Sequence, residues 1–193
     1  AQYDSVIVFV LATVFISFYL FIEARPHGSS LIADIKYTVL RFLELNNLLK
    51  NKYLVFLYIL IALVLGGLSS SNTASDPWYQ DLIKSSLNPP GYVFGIVWPI
   101  LYILMGISAF LTYSKVYKLF LLQLVFNTMW SWLFFAFHQP LIALIDIYLL
   151  IGLNIYLINL MWGINKLAAY LFLPYIIWLL FASHLNLVIV IFN

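Results

Sequence analysis

Three tryptophans stand on apolar stretches beside the groups best able to do chemistry in a hydrocarbon setting. Trp98 lies in FGIVWPILY, Trp130 in VFNTMWSWLFF and Trp178 in LPYIIWLLFASHLN. Helical spacing gathers companions around each. Phe94, Trp98 and Tyr102 fall at i, i+4 and i+8, and Asn127, Trp130, Ser131 and Phe134 at i, i+3, i+4 and i+7. Tyr175, Trp178, Ala182 and Leu185 line one side of their stretch, with Asn186 next to Leu185. Indole faces stack on flat apolar molecules, and amide and indole N–H groups donate hydrogen bonds. An indole is also oxidisable to a radical. These residue types suit binding of, or electron exchange with, a planar hydrophobic ligand. They suit interior packing as well, and pattern alone leaves both readings open.

The titratable groups are few. Asp146 lies inside an apolar stretch, followed on its face by Leu150 and Asn154, and an ionisable group within a membrane span is a functional candidate by default. The competing reading is an interfacial aspartate that reaches water or bonds a neighbouring helix. His138 and His184 lack HxxxH or HExxH spacing and have no carboxylate cluster, so a hydrogen-bonded structural role is simpler than haem ligation. The chain has no cysteine, which excludes disulfides, thiolate metal sites and cysteine nucleophiles. No phosphate loop, nucleophile elbow or paired-carboxylate motif is present, so nothing resembles a conventional hydrolase or an ATP-driven pump.

The elements that must position these groups are membrane helices. The 193 residues are 65% hydrophobic and 8% charged, with a mean hydropathy of +1.03, which places the chain among polytopic membrane proteins. A net charge of +2 is too small for a nucleic-acid footprint. Six apolar segments are expected, at 6–22, 53–68, 91–113, 119–137, 141–162 and 168–192. The last four are joined by the short connections SKVYK, HQP and GINKL, which force antiparallel neighbours. Residues 6–22 read as a retained membrane helix, because their first charge is Asp4 and the basic Arg25 follows them, the reverse of a secretory signal. Arg25, Lys36, Arg41, Lys50, Lys52, Lys115, Lys118 and Lys166 all fall in alternate connections, and only Lys84 falls in the other set. The positive-inside rule therefore puts both termini and the 69–90 loop on the side away from the cytoplasm or its equivalent. Residues 30–50 carry the spacing of an amphipathic surface helix or of a connector packed on the bundle. The 69–90 loop is long for a bundle connection, and Trp78, Tyr79 and Leu82 supply apolar area to fold it over the mouth. Asn88 is placed to cap the next helix, Pro89 and Pro90 to start it, and Pro99 to kink it.

Taken together, WYQDLIKSSLNPPGYVFGIVWPILYILMG, the LxxNxxWSxLFF run from Leu124 to Phe135 and the PYxxWxxFAxxLN run from Pro174 to Asn186 resemble the translocator protein family, also called tryptophan-rich sensory protein or peripheral benzodiazepine receptor. The likeness covers about residues 53–193, with three motifs in order. It implies an all-α polytopic bundle with a five-helix core at 53–193, to which residues 1–52 add an extension with one extra transmembrane helix. It also implies a homodimer and a pocket opening toward the first long loop. Trp98, Tyr102, Asn127, Trp130, Phe134, Trp178, Ala182 and Leu185 are implied to line that pocket with Phe94, and Trp78 and Tyr79 to close it. The implied ligands are porphyrins such as protoporphyrin IX, sterol or isoprenoid lipids and benzodiazepine-type compounds, with no cofactor required. Some bacterial members are implied to degrade porphyrin in light, which would give Trp98 and Trp178 a redox role. A membrane receptor or transporter is the leading expectation; a light-dependent enzyme and a regulatory scaffold are the alternatives. Two departures stand out. The family's KPxW is Lys84-Ser85-Ser86-Leu87 here, and the last helix ends without the Tyr and Lys/Arg of a sterol-recognition pattern.

Overall fold

The computed structural model describes residues 48–193, so the expected crossing at 6–22 and nearly all of the 30–50 segment lie outside the described residues. A 3-10 turn, Lys52–Leu54, leads into α1 (Val55–Ser69); α2 (Pro77–Asp81) lies in the loop; α3 (Gly91–Ser131) runs into a π-helical turn, Trp132–Ala136; α4 (Pro140–Ile164) and α5 (Lys166–Phe192) complete the bundle. Every regular element among the described residues is helical. Four stretches, Lys52–Ser70, Gly91–Ala136, Pro140–Ile164 and Lys166–Phe192, are long and apolar enough to cross a membrane.

The second stretch crosses twice. Tyr102 and Asn127 stand 25 residues apart, yet their side chains are hydrogen-bonded; a straight helix would separate them by about 37 Å. The chain therefore reverses between them, around the expected 114–118 connection. The helices expected at 91–113 and 119–137 are thus the two legs of α3, and the backbone stays helical through the short connection between them. Ser114-Lys115-Val116-Tyr117-Lys118 contains neither glycine nor proline to end it. At the next two connections the chemistry is sharper. Asn165 alone joins α4 to α5, its Oδ1 accepting from Ala168 N at 3.2 Å as an N-cap. His138 sits at φ 53°, in the left-handed region, and lets the chain leave the π-helical turn. Gln139 N then closes back on Leu133 O at 2.9 Å. Asn88 does not cap α3; its amide bonds the Pro89 carbonyl at 3.3 Å, and both prolines precede the first helical residue.

Both the core and the outer surface of the bundle are apolar. Leu60, Ile100, Ile145 and Ile177 face outward, while Ser108, Thr112, Gln123, Asn127, Asp146 and Asn154 are buried, turned away from the hydrocarbon that cannot hydrogen-bond them. Ser108 Oγ donates to Ala168 O at 2.7 Å, tying α3 to α5. α1 and α3 approach closely at Gly106, where an added Cβ would lie 2.9 Å from both Ile59 Cδ1 and Phe56 Cε1 of α1. Gly106→Leu is accordingly expected to overpack the α1–α3 seam by about 1–3 kcal/mol and to lower the melting temperature in detergent. Gly95→Ala, whose Cβ meets nothing within 4 Å, should leave it unchanged or slightly higher. Equal melting temperatures for the two variants would contradict the seam.

Candidate functional site

A cavity of about 850 Å³ opens beneath the loop that follows α1. α1 contributes Leu63, Gly66 and Gly67, the first leg of α3 contributes Phe94, Gly95, Trp98, Pro99 and Tyr102, and the second leg contributes Asn127, Trp130 and Ser131, with Phe135 from the π-helical turn. The roof is loop: Ser70, Ser71, Thr73, Ala74, Tyr79, Gln80, Lys84 and Asn88. No residue of α4 or α5 lines it.

Of the eleven residues expected at the site, six line this cavity: Tyr79, Phe94, Trp98, Tyr102, Asn127 and Trp130. Trp178 stands behind them, edge-on to Phe94 at 5.7 Å and 72° and to Trp98 at 6.4 Å and 84°. Ala182 and Leu185 are buried in the bundle. Phe134 stacks on Trp130 at 5.6 Å from outside the cavity, and Trp78 is not on the lining. Helical spacing placed Phe134, Trp178, Ala182 and Leu185 on inward faces but carries no information about which neighbour each face meets, and Trp78 was placed by loop composition alone. Gly66, Gly67 and Gly95 are cavity residues that spacing did not single out. The glycines at 66 and 67, next to each other in an otherwise bulky helix, were the available signal.

Wall and core are held by one set of polar bonds. Tyr102 OH donates to Asn127 Oδ1, and Asn127 Nδ2 donates to the Tyr175 phenol oxygen, Oη, at 2.8 Å. Trp130 Nε1 donates to Asn186 Oδ1 at 3.2 Å, and Asn186 Nδ2 to Pro140 O at 2.9 Å. Ser131 Oγ donates to Gly66 O at 3.1 Å, clamping the second leg of α3 on α1.

The roof is fastened by a clasp. Asp76 caps α2, Oδ1 accepting from Trp78 N at 3.1 Å, while Oδ2 lies 2.9 Å from His138 Nε2. The Trp78 indole stacks on the His138 ring at 4.2 Å and 13°. His138 is therefore structural rather than isolated, as the simpler reading held. Farther along the loop, Asn193 Oδ1 accepts from Ile83 N at 2.9 Å and its Nδ2 donates to Ile83 O at 3.2 Å. Lys84 Nζ lies 4.5 Å above the Tyr79 ring and donates to Gln80 O at 3.2 Å; it is the one basic side chain on the cavity lining. Burial pushes the Tyr79 phenol above its ordinary value, and a hydrogen bond with Asn88 offsets part of that. Among the described residues no group of three or more His, Cys, Asp or Glu is placed to hold a metal ion.

The fold and cavity define a polytopic α-helical membrane protein with a loop-roofed, aromatic-walled interior chamber. Residues 54–191 match the TspO/MBR family, and the chain belongs to that family as an integral, multi-pass membrane protein. It is 38% identical over 144 residues to the tryptophan-rich protein TspO of Archaeoglobus fulgidus, covering 70% of this chain and 94% of that one. The tryptophan-rich protein TspO of Chlorobaculum tepidum is 35% identical over 156 residues, with 74% and 99% covered. The human translocator protein is 34% identical over 119 residues, with 56% and 70% covered.

The clasp and the phenol give one expectation about the roof. His138→Ala should loosen the 70–90 loop, raising its cleavage rate in limited proteolysis severalfold while helical content stays constant. A second loosening is expected at high pH. Because docking raises the Tyr79 value, the docked loop is fully favoured below the free phenol's value near pH 10 and loses that contribution as pH rises through the raised one. Tyr79→Phe should abolish this high-pH step; a step that persists in the variant would assign it elsewhere.

Proposed function

We propose that the protein is a membrane receptor or transporter for flat hydrophobic ligands, porphyrins first among them, held in the cavity under the 70–90 loop. The observation that carries this reading is the chamber itself. Its volume of about 850 Å³ lies within the usual range for small-molecule sites, and its walls present Phe94, Trp98, Tyr102 and Trp130. A planar macrocycle placed there buries a large apolar area and gains offset stacking on indole faces. Lys84 at the roof supplies a positive charge for a ligand carboxylate, such as the propionates of protoporphyrin IX. Trp78, Phe134, Trp178, Ala182 and Leu185 serve as the tier that backs the wall and roof. Relatives carry the names translocator protein and tryptophan-rich sensory protein, which fit transport and sensing alike. Sterol or isoprenoid lipids are a second ligand class for the same chamber.

One observation favours a second reading, light-driven porphyrin breakdown. Trp98, on the cavity wall, contacts Trp178 at 6.4 Å and Tyr175 at 6.5 Å, a run of oxidisable rings leading into the bundle. Absorption spectra of the porphyrin-loaded protein in light and in darkness separate the readings. A new chromophore formed only in light, and only with Trp98 and Trp178 intact, favours breakdown.

For binding itself, protoporphyrin IX should quench tryptophan fluorescence saturably. Trp98→Ala should weaken affinity about tenfold or more, or about 1.4 kcal/mol. Lys84→Met should weaken binding of the diacid severalfold and leave its dimethyl ester unaffected. An unchanged affinity in Trp98→Ala would remove the ligand from this cavity.

A further inference from the structure

One end of the bundle carries charge that the ligand reading leaves unused. Lys50 and Lys52 stand just before α1, Lys115 and Lys118 at the reversal of α3, and Lys166 at the start of α5. The structure draws these three connections to the same end. Tyr113 OH donates to Leu49 O at 2.7 Å, which holds the chain before α1 against the reversal. Ser108 Oγ donates to Ala168 O at 2.7 Å, two residues after Lys166. All five lysines are exposed, and among the described residues none of them forms an ion pair.

The carboxylates lie elsewhere. Asp76 and Asp81 bound α2 in the roof at the opposite end, and Asp146 is buried in α4. Residues 23–47 carry Glu23, Asp34 and Glu44 against Arg25, Lys36 and Arg41, so by count that segment is neutral in itself. The five lysines are therefore an excess that the chain does not balance. Like charges gathered at one end repel one another, and at a membrane boundary an anionic leaflet offsets that repulsion within about a Debye length.

One of the five is held in place. Lys52 Nζ lies 4.8 Å from the centroid of the Phe110 ring and 5.3 Å from that of Tyr53. Tyr53 is itself edge-on to Phe110 at 5.8 Å and 60°. Ring faces attract the ammonium and fix it beside the α1–α3 seam, with Lys50 two positions before it. From there the seam continues as an apolar outer surface. Phe56 meets Phe110 at 6.0 Å; Phe56 and Leu60 follow on α1, and Ile103 and Ile107 share the Phe110 side of α3, all four exposed. A cation fixed at the boundary, with a strip of rings and branched chains leading from it toward the membrane interior, matches a phospholipid. The phosphate meets the charge and an acyl chain covers the strip.

We propose that the α1–α3 seam is a binding site for an anionic phospholipid of the adjoining leaflet, its phosphate held by Lys52 and Lys50 and one acyl chain laid along the seam. The site lies on the outer surface of the bundle, at the end opposite the roofed chamber, and it rests on no reading of that chamber's ligand.

Native mass spectrometry of the full-length protein, released from detergent containing phosphatidylglycerol or phosphatidylcholine, tests the site. The wild type should retain one phosphatidylglycerol, severalfold more than phosphatidylcholine. Lys52→Ala should lower that occupancy about fivefold, the weight of one lysine at an anionic surface, and Lys52→Arg should keep it. Lys166→Ala removes the same charge from the same end but away from the seam, and should change occupancy less than twofold. Equal losses in Lys52→Ala and Lys166→Ala would reduce the effect to diffuse attraction and overturn the seam site. Equal retention of the two lipids by the wild type would overturn the role of charge. Displacement of phosphatidylglycerol by millimolar inorganic phosphate would make the lysines a plain anion site and overturn the lipid. Because the substituted lysines are exposed, the variants should keep the helical content and melting temperature of the wild type in lipid-free detergent.

Discussion

Asn127 is the residue on which the rest of the arrangement depends. An amide in hydrocarbon has no water to fall back on, so its oxygen and nitrogen must both be satisfied by the protein. Tyr102 supplies the donor from the other leg of α3, and Tyr175 the acceptor from α5. One side chain thereby fixes three crossings. It also fixes the cavity, because Tyr102 and Trp98 on one leg are held opposite Asn127 and Trp130 on the other. Interhelical hydrogen bonds in membranes contribute about 0.6–1.7 kcal/mol each. The run through Asn127 is therefore a sizeable part of a net stability of about 5–15 kcal/mol.

Walls and roof are supported by different parts of the molecule. The walls belong to α1 and the two legs of α3. The roof is fastened elsewhere: Asp76 to His138 before α4, Ile83 to Asn193 after α5, and Ser85 to His184 on α5 at 3.5 Å. α5 and the residues just before α4 and after α5 thus anchor the lid of a chamber that neither helix lines. A change in how they pack against α3 would reach the ligand through the roof and through Tyr175 rather than by direct contact.

The number of crossings in the described residues, the connections and the inward faces were legible in the sequence because each depends on local periodicity and charge. Asn127 had to face inward, and Phe94, Trp98 and Tyr102 had to share a side. What the sequence did not carry is which faces meet. Trp178, Ala182 and Leu185 lie on an inward face of α5, but that face meets the core and the back of Trp98 rather than the open space. Trp78 has the composition of a pocket-closing aromatic, yet its partner is His138, 60 positions away by number. No spacing rule joins a loop residue to a ring so distant. The reversal near 114–118 was placed by charge and by the limit on span length. That it stays helical follows from the absence of a breaker, which hydropathy does not register.

The distribution of unmet polar capacity says how the cavity selects. Asn127, Trp130 and Ser131 expose polar groups to the chamber, but their hydrogen bonds are committed to Tyr102 and Tyr175, to Asn186 and to Gly66. The buried polar atoms without partners, Gln123 Nε2, both Asp146 oxygens, Asn154 Oδ1 and Trp178 Nε1, belong to residues off the cavity lining. A ligand therefore meets a wall whose hydrogen bonds are already used, and recognition falls to shape, stacking and the Lys84 charge. A pocket of that kind separates ligands by only about 1–3 kcal/mol per methylene and rejects added polar groups weakly. Breadth toward flat apolar molecules of similar outline follows from the chamber's own chemistry. Sharper selectivity would have to come from the roof, where Lys84 and the loop's backbone groups are the polar features a ligand reaches first.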